Sequence, residues 1–168
     1  VKMAHMRRSL SVDKNLGAAS EPLPAPVQRV FYVRGGIAVD APSLNARIPT
    51  LLHNASLVLL GPGSLFTSLI PSLILPGVGE AMLAARGGAQ RILLLNAGAD
   101  RESGHLPASA IVSAVCDALS RYGQLPLVPS HILDAIMVSE GCTTHIDTHI
   151  LSAMGIPTVH YVPCVCTQ

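Results

Sequence analysis

Short, wholly apolar runs alternate along this chain with stretches in which apolar positions recur every three or four residues. Val27–Val33 reads as a strand closed by Gly35-Gly36. Ser43 then suits an N-cap for a helix carrying Leu44, Ile48, Leu51, Leu52 and Ala55 on one side. Ser56–Leu60 is a continuous apolar strand that runs directly into Gly61-Pro-Gly-Ser64. A second helix is predicted over Val78–Arg86, ended by Gly87-Gly88. Arg91–Leu95 is the next buried strand, with Asn96 at its tip.

Pro107–Tyr122 predicts a third helix, with Ile111, Val112, Val115, Cys116 and Leu119 as its apolar stripe. Leu125–Val128 and Ile132–Val138 are short strand candidates, and Asp147–Met154 reads as a helix that stops at Gly155. Ile156–Val162 is a last strand, which Pro157 places at a beginning or an edge. Strands separated by connections of helix length imply an α/β fold with a mostly parallel sheet. Continuous apolar strands imply a sheet covered on both faces.

Composition narrows the function classes. Hydrophobic residues make up 49% of the 168 and charged ones 12%, which excludes a disordered or coiled-coil chain. Eleven Lys+Arg against ten Asp+Glu, with two Phe, three Tyr and no Trp, provide neither the cations nor the stacking rings of a nucleic-acid groove. No charged residue lies between Arg47 and Glu80, a stretch long enough to span a bilayer. Pro62, Pro71 and Pro76 would break that helix repeatedly, so no membrane span is expected.

Four cysteines are too sparse for a disulfide scaffold and fit a reduced, cytoplasmic protein, with Cys116 in the core. Residues 1–26 end in Glu21-Pro-Leu-Pro-Ala-Pro26 and read as a linker or loop. The chain starts at Val1, as expected of a processed chain or a piece of a longer one.

The strongest chemical feature is Gly61-Pro-Gly-Ser64-Leu-Phe-Thr67-Ser68 directly after a strand. In an open parallel sheet, ligands bind beyond the carboxyl ends of the strands. Gly61 and Gly63 let backbone approach a phosphate, and Ser64, Thr67 and Ser68 supply donor hydroxyls. The loop has no Lys, so it is not a nucleotide-triphosphatase loop, and Phe66 stands where a dinucleotide fingerprint needs Gly or Ala. The same glycines also suit a tight turn with no ligand.

Asn96 can donate to and accept from a base or sugar, and Glu102, in the polar stretch Asp100–Ser103, can hold a sugar hydroxyl. Cys142, His145, His149, His160, Cys164 and Cys166 form no paired short-spaced knuckle, so no metal is assigned to them.

The run Gly61–Ser68, followed by Ile70-Pro-Ser-Leu73 and Pro76-Gly-Val-Gly-Glu-Ala81, resembles the CofD/YvcK-type proteins. These comprise the 2-phospho-L-lactate transferases of deazaflavin cofactor assembly and the bacterial gluconeogenesis factors. Asn96 closing a strand and Glu102-Ser103 beyond it extend the resemblance. Gly-Pro-Gly-Ser-Leu is closer to the gluconeogenesis-factor branch.

The resemblance implies a Rossmann-like three-layer sandwich, of which residues 27–166 are the C-terminal part and an incomplete domain. It also implies a nucleotide, nucleotide-sugar or dinucleotide ligand at Gly61, Gly63, Ser64, Thr67, Ser68 and Asn96. The family's upstream Gly-rich loop and the transferases' acidic metal-binding residues have no counterpart here, so a missing N-terminal half is expected to complete the site. Magnesium and phosphoryl-group transfer enter only under the transferase reading. Homo-oligomerisation and a purely structural role stay open.

Overall fold

The computed structural model describes residues 27–85, 88–98, 102–103, 106–123 and 126–163. The expected linker over 1–26, Arg86, Gly87, Asp100, Arg101, Leu125, Cys164 and Cys166 lie outside the described residues.

The first strand is shorter than its apolar run and belongs to a different structure. Strand β1 (Tyr32–Arg34) turns through Gly35-Gly36 and pairs antiparallel with β2 (Ile37–Val39). Both glycines have positive φ, +58° and +80°, as a two-residue hairpin turn matched to strand twist requires. Gly35-Gly36 is therefore a hairpin turn and not the end of a sheet strand. The hairpin is anchored by the Tyr32 hydroxyl, which donates to the Pro71 carbonyl at 2.7 Å.

Helix α1 (Arg47–His53) begins later than Ser43 would place it. Asn45 Oδ1, not Ser43, meets the first helical amide, accepting from Arg47 N–H at 3.0 Å. Pro49 then sits in the first turn, where its missing N–H costs no intrahelical bond.

The main sheet comprises β3 (Leu57–Leu60), β4 (Gln90–Leu94), β5 (Ala135–Ser139) and β6 (Val159–Val162), all parallel and in that spatial order. Its connections are helical: α2 (Ile70–Leu73) and α3 (Val78–Ala84) after β3, α4 (Ala108–Ser120) after β4, and α5 (Thr148–Ala153) after β5. The α/β class and parallel sheet are thus as expected. Residues 126–128 form no strand: Pro129–His131 make a single 3-10 turn, and β5 starts at Ala135 rather than Ile132.

Strand order increases without reversal, and parallel crossovers are right-handed in nearly all proteins. Successive right-handed connections moving in one direction put their helices on one face. Burial follows: Val58, Leu60, Leu93, Ile136 and Val138 are buried among Met82, Val112, Val115 and Leu119. Alternate residues on the other face are more open, with Leu57 and Leu59 at 48% and 49% exposure. Among the described residues β3 is covered on one face, where a sheet covered on both was expected. The described residues supply the parallel sheet and one helical layer.

One contact fixes that helical layer and another ties the strands beneath it. A Cβ on Gly79 would stand 2.3 Å from the Leu119 carbonyl oxygen, so α3 and α4 can pack this closely only with glycine there. At the amino ends of β4 and β5, the buried Arg91 guanidinium makes a bidentate pair with Asp134, Nε to Oδ2 at 3.0 Å and Nη2 to Oδ1 at 2.8 Å. Arg91 also donates to the His131 carbonyl.

Candidate functional site

Parallel strands deliver the loops that follow them to one edge of the sheet. The loop after β3 carries the glycine–hydroxyl motif, that after β4 carries Asn96 and Glu102, and that after β5 carries Cys142 to Asp147.

Gly61 leaves β3 with φ +96°, and a Cβ on it would lie 2.7 Å from the Leu94 carbonyl oxygen. The chain passes through a cis Gly61–Pro62 bond to Gly63. There the Asn96 carboxamide takes both backbone groups, with Gly63 N–H donating to Oδ1 at 2.9 Å and Nδ2 donating to Gly63 O at 3.0 Å. The Ser64 carbonyl then accepts from Ser68 N–H at 2.9 Å and Leu69 N–H at 3.2 Å, opening a π-helical turn over Leu65–Leu69. Sequence periodicity gave no sign of this turn or of α2, because five residues at π spacing match neither template. Such turns occur often at functional sites.

All seven predicted site residues come together. Ser64 is half-buried, while Thr67 and Ser68 are exposed at the mouth of the loop. Glu102 joins them through Oε2, which accepts from Thr67 N–H at 3.1 Å. Asn96 and Glu102 are thus engaged with loop backbone, whereas their residue types alone suggested a base or sugar. An amide has two donors and two acceptor lone pairs, so Asn96 keeps hydrogen-bonding capacity beyond Gly63.

A cavity of about 30 Å³, enough for a water molecule, lies beside the loop between Gly63, Leu65, Asn96, Ser103, Ile111 and Thr144. A larger ligand would therefore lie over the outer rim of the loop. A larger concavity, about 670 Å³, is elsewhere, between the hairpin and the end of α4, where Arg29, Phe31, Asp40, Arg121 and Tyr122 line it.

The third loop supports the second. Cys142 Sγ donates to the Asn96 carbonyl at 3.2 Å, and Thr143 N–H donates to the Ala97 carbonyl at 2.9 Å. Asp147 was legible only as the start of α5, yet it caps a different helix. Its Oδ1 accepts from Ser109 N–H at 3.0 Å and its Oδ2 from the Ser109 hydroxyl, while the His145 carbonyl accepts from Ala108 N–H at 2.9 Å. Pro107 cannot cap α4 with its own side chain, so the carboxylate comes from 38 residues away.

Burial, the largest influence on Asp147, works to raise its pKa. The Ser109 hydroxyl and amide, its own backbone amide and neighbouring His145 outweigh it and hold the carboxyl below the ordinary value. Cys116 is pushed up to about 12, first by burial and then by Asp117, so its thiol is inert core. No three His, Cys, Asp or Glu residues among those described are placed to hold a metal ion. Nor is any described helix long and apolar enough to cross a membrane: the apolar helical pieces Leu65–Leu73 and Val78–Ala84 meet at a 76° bend.

A solved structure shares this fold. A member of the UPF0052 family from Bacillus halodurans superposes with a TM-score of 0.59 at 22% identity, over 75% of this chain and 42% of its own. An uncharacterized protein of Saccharomyces cerevisiae is 35% identical over 61% of this chain. A putative gluconeogenesis factor of Mycobacterium leprae is 40% identical over 44%. The matches cover 23% and 18% of those two relatives, so this chain spans under a quarter of either. A family model described as 2-phospho-L-lactate transferase CofD matches residues 8–158. With nine-tenths of its length matched by that family model, this chain belongs to the CofD family.

Proposed function

We propose that this chain is the nucleotide-binding or nucleotide-sugar-binding portion of a gluconeogenesis-factor-like protein, with the Gly61–Ser68 loop taking the phosphates. The observation that carries the reading is the Asn96–Gly63 bridge. It ties a glycine-rich loop at the carboxyl edge of β3 to the tip of β4, in a loop where Ser64 is half-buried and Thr67 and Ser68 are exposed. A preorganised loop binds an anion without an ordering cost at the moment of binding. Asn96 acts as a positioning residue that keeps one face toward the ligand, and Glu102 marks an amide suited to a negatively charged partner. The proposal extends to a role in carbon metabolism or cell-shape control, and the relatives described as putative gluconeogenesis factors support the metabolic part of it.

Calorimetric titration with a UDP-sugar tests this, both on the 168-residue chain and on the chain joined to the rest of a CofD-family domain. Ser64→Ala with Thr67→Ala is expected to weaken binding by tenfold or more, about 1.4 kcal/mol. An unchanged affinity would remove the loop from the site. Phosphotransfer from a nucleotide diphosphate to a hydroxyl is the second reading. The matched family's transferase description favours it, and product formation by the joined protein with magnesium would establish it.

A further inference from the structure

The concavity between the hairpin and the end of α4 lies away from the motif loop. Helix α4 starts at the rim, where Ala108 N–H donates to the His145 carbonyl, and returns toward the amino edge of the sheet. Its 13 residues put Arg121 and Tyr122 about 20 Å from that start. No residue lining the small cavity beside Gly63 lines this one. The chain has two Phe, three Tyr and no Trp, and three of these rings, Phe31, Tyr32 and Tyr122, are gathered here. Phe31 and Tyr122 are 54% and 48% exposed, Tyr32 is half-buried, and Ile74 forms a buried floor. Arg29 and Arg121 complete the lining, and among the described residues neither has an ion-pair partner. Arg121 donates through one nitrogen to the Val30 carbonyl, whereas the Arg29 side chain has no hydrogen bond to any described residue.

We propose that this concavity binds a small aromatic anion, a flat ring carrying one carboxylate or phosphate group. Small-molecule sites are concave, largely apolar and furnished with a few convergent polar groups, and the volume here is in their range. The two guanidiniums take the anionic group, because their planar forks match carboxylate and phosphate oxygens. The ring lies against Phe31 and Tyr122 over Ile74, where offset or edge-to-face contact adds to burial. Asp40 also lines the wall and limits the ligand's charge: it repels a second anionic group, so one charged end is favoured. Two internal ties hold the walls without engaging Arg29, the Tyr32 hydroxyl to the Pro71 carbonyl and Arg121 to the Val30 carbonyl. A wall already held in place lowers the ordering cost of binding.

Calorimetric titration of the 168-residue chain with 2-naphthoate and with 2-naphthyl phosphate tests this. Saturable one-to-one binding of at least one is expected, and the tighter of the two identifies the anionic group. Neutral 2-naphthalenemethanol and ring-free inorganic phosphate are expected to bind about tenfold or more weakly, because each lacks half of what the site recognises. Absence of saturable binding by both naphthyl anions at millimolar concentration overturns the proposal. So does equal binding of the neutral naphthalene, which would mean adsorption on exposed apolar surface.

Substitutions then locate the bound anion. Arg29 is exposed and holds no described residue, so Arg29→Ala should leave the unfolding midpoint unchanged while weakening binding about tenfold. Arg29→Lys should recover part of that loss, since an ammonium keeps the charge but not the fork. Tyr122→Leu keeps apolar area without the ring and should cost about threefold. Full affinity in both Arg29→Ala and Tyr122→Leu overturns the site. Ser64→Ala with Thr67→Ala should bind the naphthyl anions as wild type does, and a loss there would move them to the motif loop and overturn the proposal. Failure of the nucleotide reading leaves these results unaffected.

Discussion

Asn96 and Gly63 are 33 residues apart in sequence, yet the amide of one closes a two-bond ring with the backbone of the other. The bridge ties the loop after β3 to the tip of β4. Cys142 extends it to the loop after β5 through the Asn96 carbonyl. Three strand ends thereby become one rim.

Replacing Asn96 by Ala removes both bonds and leaves two part-buried backbone groups without them. A loss of about 1–3 kcal/mol in chemical denaturation is expected, since an unmet polar group costs its desolvation. Asn96→Asp keeps the acceptor for Gly63 N–H but sets a carboxylate against Gly63 O, so it should not rescue. Wild-type stability in Asn96→Ala would mean that the loop holds itself.

Gly61→Ala should be among the least tolerated loop changes. The new Cβ would meet the Leu94 carbonyl oxygen at 2.7 Å, and φ of +96° is unfavourable for any L side chain. The expected cost is about 2 kcal/mol or more, read as a lower unfolding midpoint. Gly88→Ala, with nothing within 4 Å of the new atom, is the control and should be close to neutral.

Glu102→Gln is expected to change ligand binding more than stability. The carboxylate at Thr67 N–H competes with an incoming phosphate and repels it, and the amide keeps an acceptor while removing the charge. Affinity for a nucleotide diphosphate should rise about threefold to tenfold at low salt, with a smaller gain at high salt. Weaker binding would show instead that Glu102 holds the ligand.

Asp147 makes stability depend on pH in a defined direction. Its folded-state pKa is depressed, so in that range the unfolded chain binds the extra proton and stability increases with pH. The contribution is complete above the ordinary aspartate value of about 3.9 and is lost as pH falls through the lower folded value. Asp147→Asn should be less stable than wild type at pH 7, and the difference should shrink toward pH 3. A constant difference across that range would assign the cap to shape and not charge.

Much of the site was legible because its parts are local. A glycine–hydroxyl loop directly after an apolar strand needs only adjacent residues, and Asn96 and Glu102 follow the next strand by a few positions. Their use was not legible, because a carboxamide suited to a sugar is equally suited to a glycine backbone, and only the register of β3 against β4 brings Gly63 to it. Asp147 was hidden for the same reason. It caps α4 from another loop, and no spacing rule connects residues 109 and 147.

Taken alone, the sequence determined the alternation of strands and helices, the parallel class and the position of the loop, since each follows from periodicity and turn chemistry within a few residues. The tertiary structure decided which side of each strand is covered. An apolar run such as Leu57–Leu60 has the same pattern whether one face or both are buried, and only the direction of the crossovers leaves Leu57 and Leu59 open. Chain order records which elements exist. Burial depends on what stands opposite them in space.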